Sequence, residues 1–327
     1  MKISLTRLGG SIAAACIATF PIAFAQAQDY PSKPITLVVP FPPGGATDMI
    51  ARQVGKTLGD RLGQTVIVEN KAGAGTIIGA GAVARANPDG YTLLISSGTT
   101  FTVNPAIYAK LPYDPVKNFE PIGIIGRSPM VLLAHPSVPI NSFKELVAAA
   151  KAAPGKYSYG SYGNGTTAHF AGEMMQHAGG FEMKHLPYKG SAPAMNDLIG
   201  GHIPFTVDTL AAALPQMKSG KVKAIAVTTA KRSSMAPQVP SVAENGYADI
   251  DADTWLAVLG PRGMPGPVKA RLEKALADTL ADQETRGKLV ASGFEPTYGK
   301  SDELAKLIAD ELPRMKEIAQ RANIKLD

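Results

Sequence analysis

Short apolar runs recur along this 327-residue chain, and most are continuous rather than alternating. They are ITLVVPF (35–41), TVIVEN (65–70), YTLLISSG (91–98), PIGIIG (121–126), MVLLAH (130–135), YSYGSY (157–162), MKHLPY (183–188), IPFTVD (203–208), VKAIAVTT (222–229) and TWLAVLG (254–260). Strands covered on both faces have this character. Between them lie stretches with helical spacing. Residues 46–62 align Met49, Ile50, Val54, Leu58 and Leu62 on one stripe, and 142–152 align Phe143, Leu146, Val147 and Ala150. Further helices are expected at 167–178, 191–200, 211–219, 267–281 and 301–321, and only helices after TWLAVLGPRG. Strand alternating with helix predicts an α/β chain with mostly parallel sheets.

That many strands fit two doubly wound sheets better than one, yet no linker divides the chain in two. We therefore expect it to cross over and return. PIGIIGRSPMVLLAHP is the outward crossing and VKAIAVTTAKR the return. One lobe then takes 29–125 and 230–327, and the other 126–229.

Residues 1–28 stand apart. Lys2 and Arg7 precede the run SIAAACIATFPIAFA, and AFAQAQ offers small residues for a cut after Ala25 or Ala27. This is the pattern of a secretory signal peptide. A lipoprotein would acylate Cys16, but AAA before it fits poorly. Cys16 is the only cysteine, so a cleaved chain has neither disulfides nor thiol chemistry. Its net charge falls from +6 to about +4 once Lys2 and Arg7 leave, and no basic run interleaved with aromatics points to nucleic acid.

In open α/β sheets ligands sit beyond the carboxyl ends of the strands. FPPGGATD (41–48) lies at such an end. Its glycines bring main chain close to a ligand, and the following helix presents free N–H groups. It matches neither a Walker loop nor G-x-G-x-x-G, which disfavours nucleotides. SSGTTFTVNP (96–105) adds hydroxyls and Asn104, GSYGNGTTAHF (160–170) is a second glycine-rich turn, and PYKGSAP (187–193) adds Lys189. Thr166 or Thr167 serving as a helix cap is the simpler role for the second turn. Together the turns predict a cleft for a small acidic solute between facing helix N-termini. Asp48 either stabilises the first helical turn or receives a ligand's ammonium group.

Catalysis finds little support. His169, Glu173 and His177 share a helix face, but eight residues of helix span about 12 Å, too far for one ion to reach both histidines. G-x-S-x-G is absent, and Asp197 and Asp208 have no second acid nearby in sequence. Trp255 on a strand is more simply core than a stacking platform.

Several stretches carry a resemblance. YPSKPITLVVPFPPGGATDMIAR, VIVENKAGAGTIIGAGAVARANPDGYTLL, LPYDPVKNFEPIGIIGRSPMVL, YSYGSYGNGTTAHFAGEMM, LPYKGSAPAMNDLIGGHI, GKVKAIAVTTAKRSSMAPQVPSVAENGY and TWLAVLGPRGMP resemble the solute receptors of tripartite tricarboxylate transporters, the Bug proteins. The likeness spans essentially the whole chain after residue 28. It implies a two-lobed periplasmic-binding-protein fold of the Venus flytrap type, its discontinuous lobes joined by hinge strands. It also implies a large and a small integral membrane subunit as partners, small carboxylates as ligands, no cofactor and no catalysis. Those ligands include di- and tricarboxylates, acidic amino acids and aromatic acids, gripped largely through main-chain N–H groups and ordered water. By position, Phe41, Gly44, Gly45, Ala46 and Thr47 line one lobe, extended by Ser97, Thr99 and Asn104. Gly163, Asn164, Gly165, Thr166, Thr167 and His169 line the other, with Tyr188, Lys189 and Asp208 nearby. Relatives carry more serine around 160–166, so Tyr162 and Asn164 are expected to reshape the pocket, and the ligand class is not inherited. A monomer is the simpler expectation for a clamp that must dock. The same cleft would also serve a secreted sensor, and an enzyme acting on a small acid is the remaining alternative.

Overall fold

The computed structural model describes residues 30–248, 250, 252–321 and 324–326. The expected signal peptide, its cleavage position and Cys16 lie outside them.

The chain begins with β1 (Ile35–Val39), α1 (Ala46–Leu62), β2 (Val66–Asn70), α2 (Ile77–Ala84) and β3 (Thr92–Ser97). β1 lies between β2 and β3, parallel to both. A π-helical turn, Thr99–Val103, then leads into α3 (Asn104–Ile107). Next comes a long strand, β4 (Phe119–Ala134). Beyond it follow α4 (Phe143–Ala152), β5 (Ser158–Ser161), α5 (Thr167–Gly179), β6 (Lys184–Pro187), α6 (Ser191–Ile199), β7 (Phe205–Thr209), α7 (Leu210–Lys218) and β8 (Lys223–Val227). In this second region β5 is parallel to β6 and β7. The chain closes with β9 (Asp253–Pro261), α8 (Gly266–Ala281), α9 (Gln283–Ala291), β10 (Glu295–Gly299) and α10 (Ser301–Arg321).

The runs 121–126 and 130–135 belong to one strand. Through the intervening Arg127, Ser128 and Pro129 the pairing continues, with β9 antiparallel alongside from Phe119 opposite Pro261 to Pro129 opposite Asp253. The second half of β4 pairs antiparallel with β7 and β8. β4 therefore belongs to both sheets, and antiparallel pairing is concentrated where they join. The expectation of only helices in the last sixty residues is corrected by β10, which pairs antiparallel with β4 at Arg127 and Gly126. EPTYG contains Pro and Gly and has no apolar run, so only this distant partner makes it a strand.

Each sheet is sandwiched. Ile50, Val54 and Leu58 of α1 pack with Leu272 and Leu276 of α8 on one face of the first sheet, and Leu304 and Ile308 of α10 join Trp255 on its other face. The second sheet buries Phe143 and Leu146 of α4 on one side, and Leu198 and Leu214 on the other. Ala236, Val239, Val242 and Ile250 also pack there, although they follow the expected return crossing. A further cluster spans both sheets on the far side, joining Val103 and Ile107 to Phe170 and to Met315 and Ala319 of α10.

Gly126 sits where β4 is pinched between β9 and β10, at φ 155°. A Cβ there would meet the Glu295 carbonyl oxygen at 2.1 Å and the Phe294 ring at 2.8 Å. Gly126→Ala is expected to cost about 3 kcal/mol, read by urea unfolding. Gly155→Ala, left-handed at φ 72° but in open space, should cost only about 1 kcal/mol.

Candidate ligand-binding site

The turn after β1 is held by one buried acid. The Gly44 N–H donates to Asp48 Oδ2 at 3.0 Å, and Arg52 Nε reaches the same oxygen at 3.2 Å. Asn70 Nδ2 donates to Asp48 Oδ1 at 3.0 Å and to the Phe41 carbonyl at 3.1 Å. Burial alone would raise the Asp48 pKa, but these donors and the Arg52 charge outweigh it and hold the carboxyl below its usual range. Asp48 is thus a peg for the turn, its oxygens committed to the protein. Gly45, the N-cap of α1, has extended backbone and no side-chain cap. Among the described residues no group accepts from the Ala46 and Thr47 N–H groups, which begin a 17-residue helix.

Across from this turn stand α6 and β7. A Cβ at Gly45 would lie 3.5 Å from Ser191 Cβ, so the N-termini of α1 and α6 face each other closely. Ser191 Oγ donates to Asp208 Oδ2 at 2.5 Å, and the Thr209 N–H donates to Asp208 Oδ1 at 2.7 Å. Between these walls lies a narrow cleft. Phe41, Gly45, Ala46, Thr47, Ser97, Tyr162 and Asp208 line it. So do Pro42, Ser128, Gly190, Ser191, Thr209 and Thr254, which we did not single out from sequence. Ser191 had a legible signal, since KGSAP repeats the pattern of glycine before a helix. Ser128 and Thr254 lie on strands that pass between the sheets, where nothing local marks them.

Phe41 and Tyr162 meet edge to face with ring centroids 6.3 Å apart. They border both the inner cleft and a wider outer groove. Gly163, Asn164, Thr166, Tyr188 and Lys189 line this groove, with Gly73–Thr76 opposite. Tyr188 OH donates to Asp197 Oδ2 at 2.7 Å. Tyr162 OH is hydrogen-bonded to Thr167 Oγ1.

Other expected site residues stand behind these surfaces. The Thr167 N–H donates to Thr99 Oγ1 at 3.3 Å, joining the two sheets and occupying part of the α5 N-terminus. Gly165 N–H donates to His169 Nδ1 at 3.2 Å. That imidazole stacks on His185 at 3.9 Å, and burial lowers its pKa to about 4. His169 supports the turn and does not line the cleft. Its Nε2 lies 3.7 Å from Glu173 Oε1, which accepts from Tyr159 and Gln176. Among the described residues no group of three or more His, Cys, Asp or Glu is placed to hold a metal ion. Asn104 is buried, with Nδ2 donating to Gly75 O, Thr76 Oγ1 and Tyr113 OH. It fixes the left-handed residues Gly75 and Thr76 rather than the inner cleft. Trp255 is core, its Nε1 donating to Glu311 at 2.6 Å.

Residues 50–324 match the family model described as the tripartite tricarboxylate transporter family receptor. This chain belongs to that family. The receptor is 36% identical to the protein BugT of Bordetella pertussis over 312 residues, 95% of this chain and 96% of BugT. The structure of Rpa4515 from R. palustris, solved with adipate, is 34% identical with a TM-score of 0.88, covering 91% of this chain and 99% of that one. MatC (Rpa3494) from Rhodopseudomonas palustris, solved with malate, is 29% identical with a TM-score of 0.84, covering 88% and 99%. The receptor has the two-lobed fold of periplasmic binding proteins, and solute binding is its family's activity. Among the described residues no helix is long and apolar enough to cross a membrane.

Asp208 is 1% exposed, and burial pushes its carboxyl up to about 6, only partly offset by the Ser191 and Thr209 donors. The folded receptor therefore binds more protons than the unfolded chain between about pH 4 and 6, and stability falls as pH rises through that window. Two pH units correspond to at most about 3 kcal/mol. Asp208→Asn should raise the melting temperature at pH 7.5, and the gain should vanish near pH 4.

Proposed function

We propose that this receptor captures a small carboxylate in the periplasm and delivers it unchanged to the membrane subunits of a tripartite tricarboxylate transporter. The observation that carries this reading is the bare first turn of α1, opening on a cleft among whose described residues stands no Lys, Arg or His. A helix N-terminus offers an anion directed N–H groups and about half a positive charge. The carboxylates named for Rpa4515 and MatC support the same chemistry.

The lobes would divide within β4, near Gly126–Pro129, and again at the start of β9. The packing of Ala236–Ile250 on the second sheet favours this second division over one at residue 230. Ligand held by both walls would favour the closed arrangement, in which Gly45 meets Ser191 and Thr99 meets Thr167. Ser191 Oγ is hydrogen-bonded to Asp208, but no histidine, lysine or second acid stands with them among the described residues lining the cleft, and transfer without turnover is the simplest use of it.

The test is a thermal-shift screen on the mature protein after unfolding and refolding to strip bound solute. Citrate, C4–C6 dicarboxylates, acidic amino acids and aromatic acids form the panel. A ligand at about 1,000 times its Kd adds about 4 kcal/mol, moving the midpoint by several degrees. Silence across all these acids overturns the proposal. Gly45→Val, whose backbone angles suit valine but whose side chain fills the approach to Ser191, should weaken binding at least ~10-fold with an unchanged circular dichroism spectrum.

A further inference from the structure

Asp208 is the only acid among the described residues lining the inner cleft, and it has no basic partner there. Its oxygens accept from Ser191 Oγ and from the Thr209 N–H, and the Thr209 hydroxyl also supports the carboxylate. An ionised carboxylate has about four acceptor positions, and these neutral donors neither fill them nor supply a counter-charge in a wall that solvent barely reaches. Tyr162, the other ionisable group lining the cleft, has its hydroxyl engaged with Thr167. Lys189 lines the outer groove instead.

The opposite wall has the complementary lack. Ala46 and Thr47 present donors without acceptors, and the dipole of α1 points its positive end the same way. Ser191 links the two poles. Its Cβ lies 3.5 Å from the Cβ position of Gly45, while its Oγ is bonded to Asp208. A ligand filling this space meets acceptor-seeking amides on one side and a donor-seeking carboxylate a few ångströms away on the other.

We infer that Asp208 sets the class of acid this receptor takes: a carboxylate carrying a hydrogen-bond donor, ammonium or hydroxyl, close to the carboxyl group held by α1. This inference rests on the carboxylate-receptor reading. An ammonium group supplies both a donor and the counter-charge the cleft lacks. A hydroxyl supplies the donor alone. A methylene leaves Asp208 unsatisfied, and a second carboxylate turned toward it adds like-charge repulsion in a poorly hydrated site.

The experiment is calorimetric titration of the refolded receptor at pH 7.5 with acids matched in skeleton. Succinate, malate and aspartate form one set, and glutarate, 2-hydroxyglutarate and glutamate a second. Phenylacetate, mandelate and phenylglycine form a third. Within whichever sets bind, the hydroxy acid should bind at least ~10-fold tighter than the parent, and the amino acid tighter again, toward ~100-fold. Asp208→Asn should collapse the advantage of the amino acid to within about threefold. Ser191→Ala, which frees an Asp208 oxygen, should preserve the ranking. Parent acids that bind as tightly as their substituted partners, or a ranking unchanged in Asp208→Asn, overturn the inference and leave the carboxylate reading standing. Failure of every acid to bind overturns both.

Discussion

The architecture depends on one strand being hydrogen-bonded into two sheets. β4 lies against β9 and β10 through its first half and against β7 and β8 through its second. Backbone hydrogen bonds along so long a strand leave few ways for the sheets to move except by twisting that strand. Gly126, whose carbonyl and ring neighbours leave no room for a side chain, marks the tightest point of the junction. Everything that forms the cleft reaches it from these two sheets: α1 follows the first strand of one, and β7 and α6 belong to the other. The cleft is a property of the junction rather than of either half.

Within that frame the two walls are finished differently. On one, Asp48, Asn70 and Arg52 use side chains to fix a turn, so that the amides of Ala46 and Thr47 face the cleft beside Phe41. On the other, Ser191, Thr209 and Asp208 bring side chains into the cleft. Asp48 and Asp208 are both buried acids with opposite fates. The first has donors and a guanidinium for its oxygens and stays ionised easily. The second has only neutral donors, from Ser191 and Thr209, and resists ionisation.

Much of this was legible in the residues. The stripe of Ile50, Val54 and Leu58 announces α1, and the glycines before it announce the turn, because apolar spacing and missing side chains are local signals. Tyr162 and Asp208 were also within reach, each at the end of a strand. What escaped was set by distant partners. β10 exists because β4 has a free edge, and α2 forms from IIGAGAVA despite two glycines that weaken helices in isolation. His169 looked like a cleft residue from its place in the turn, but only the fold shows its ring stacked on His185, a strand away, serving Gly165.

The bare amides of Ala46 and Thr47 bear on how such a site can change over generations. A peptide N–H is encoded by every residue except proline, so ordinary point substitutions leave those donors in place. Side chains such as Phe41, Tyr162 and Asp208 have no such protection. A lineage built on this plan can therefore exchange one solute for another in few steps, since the half of the site that holds charge is inherited with the backbone itself.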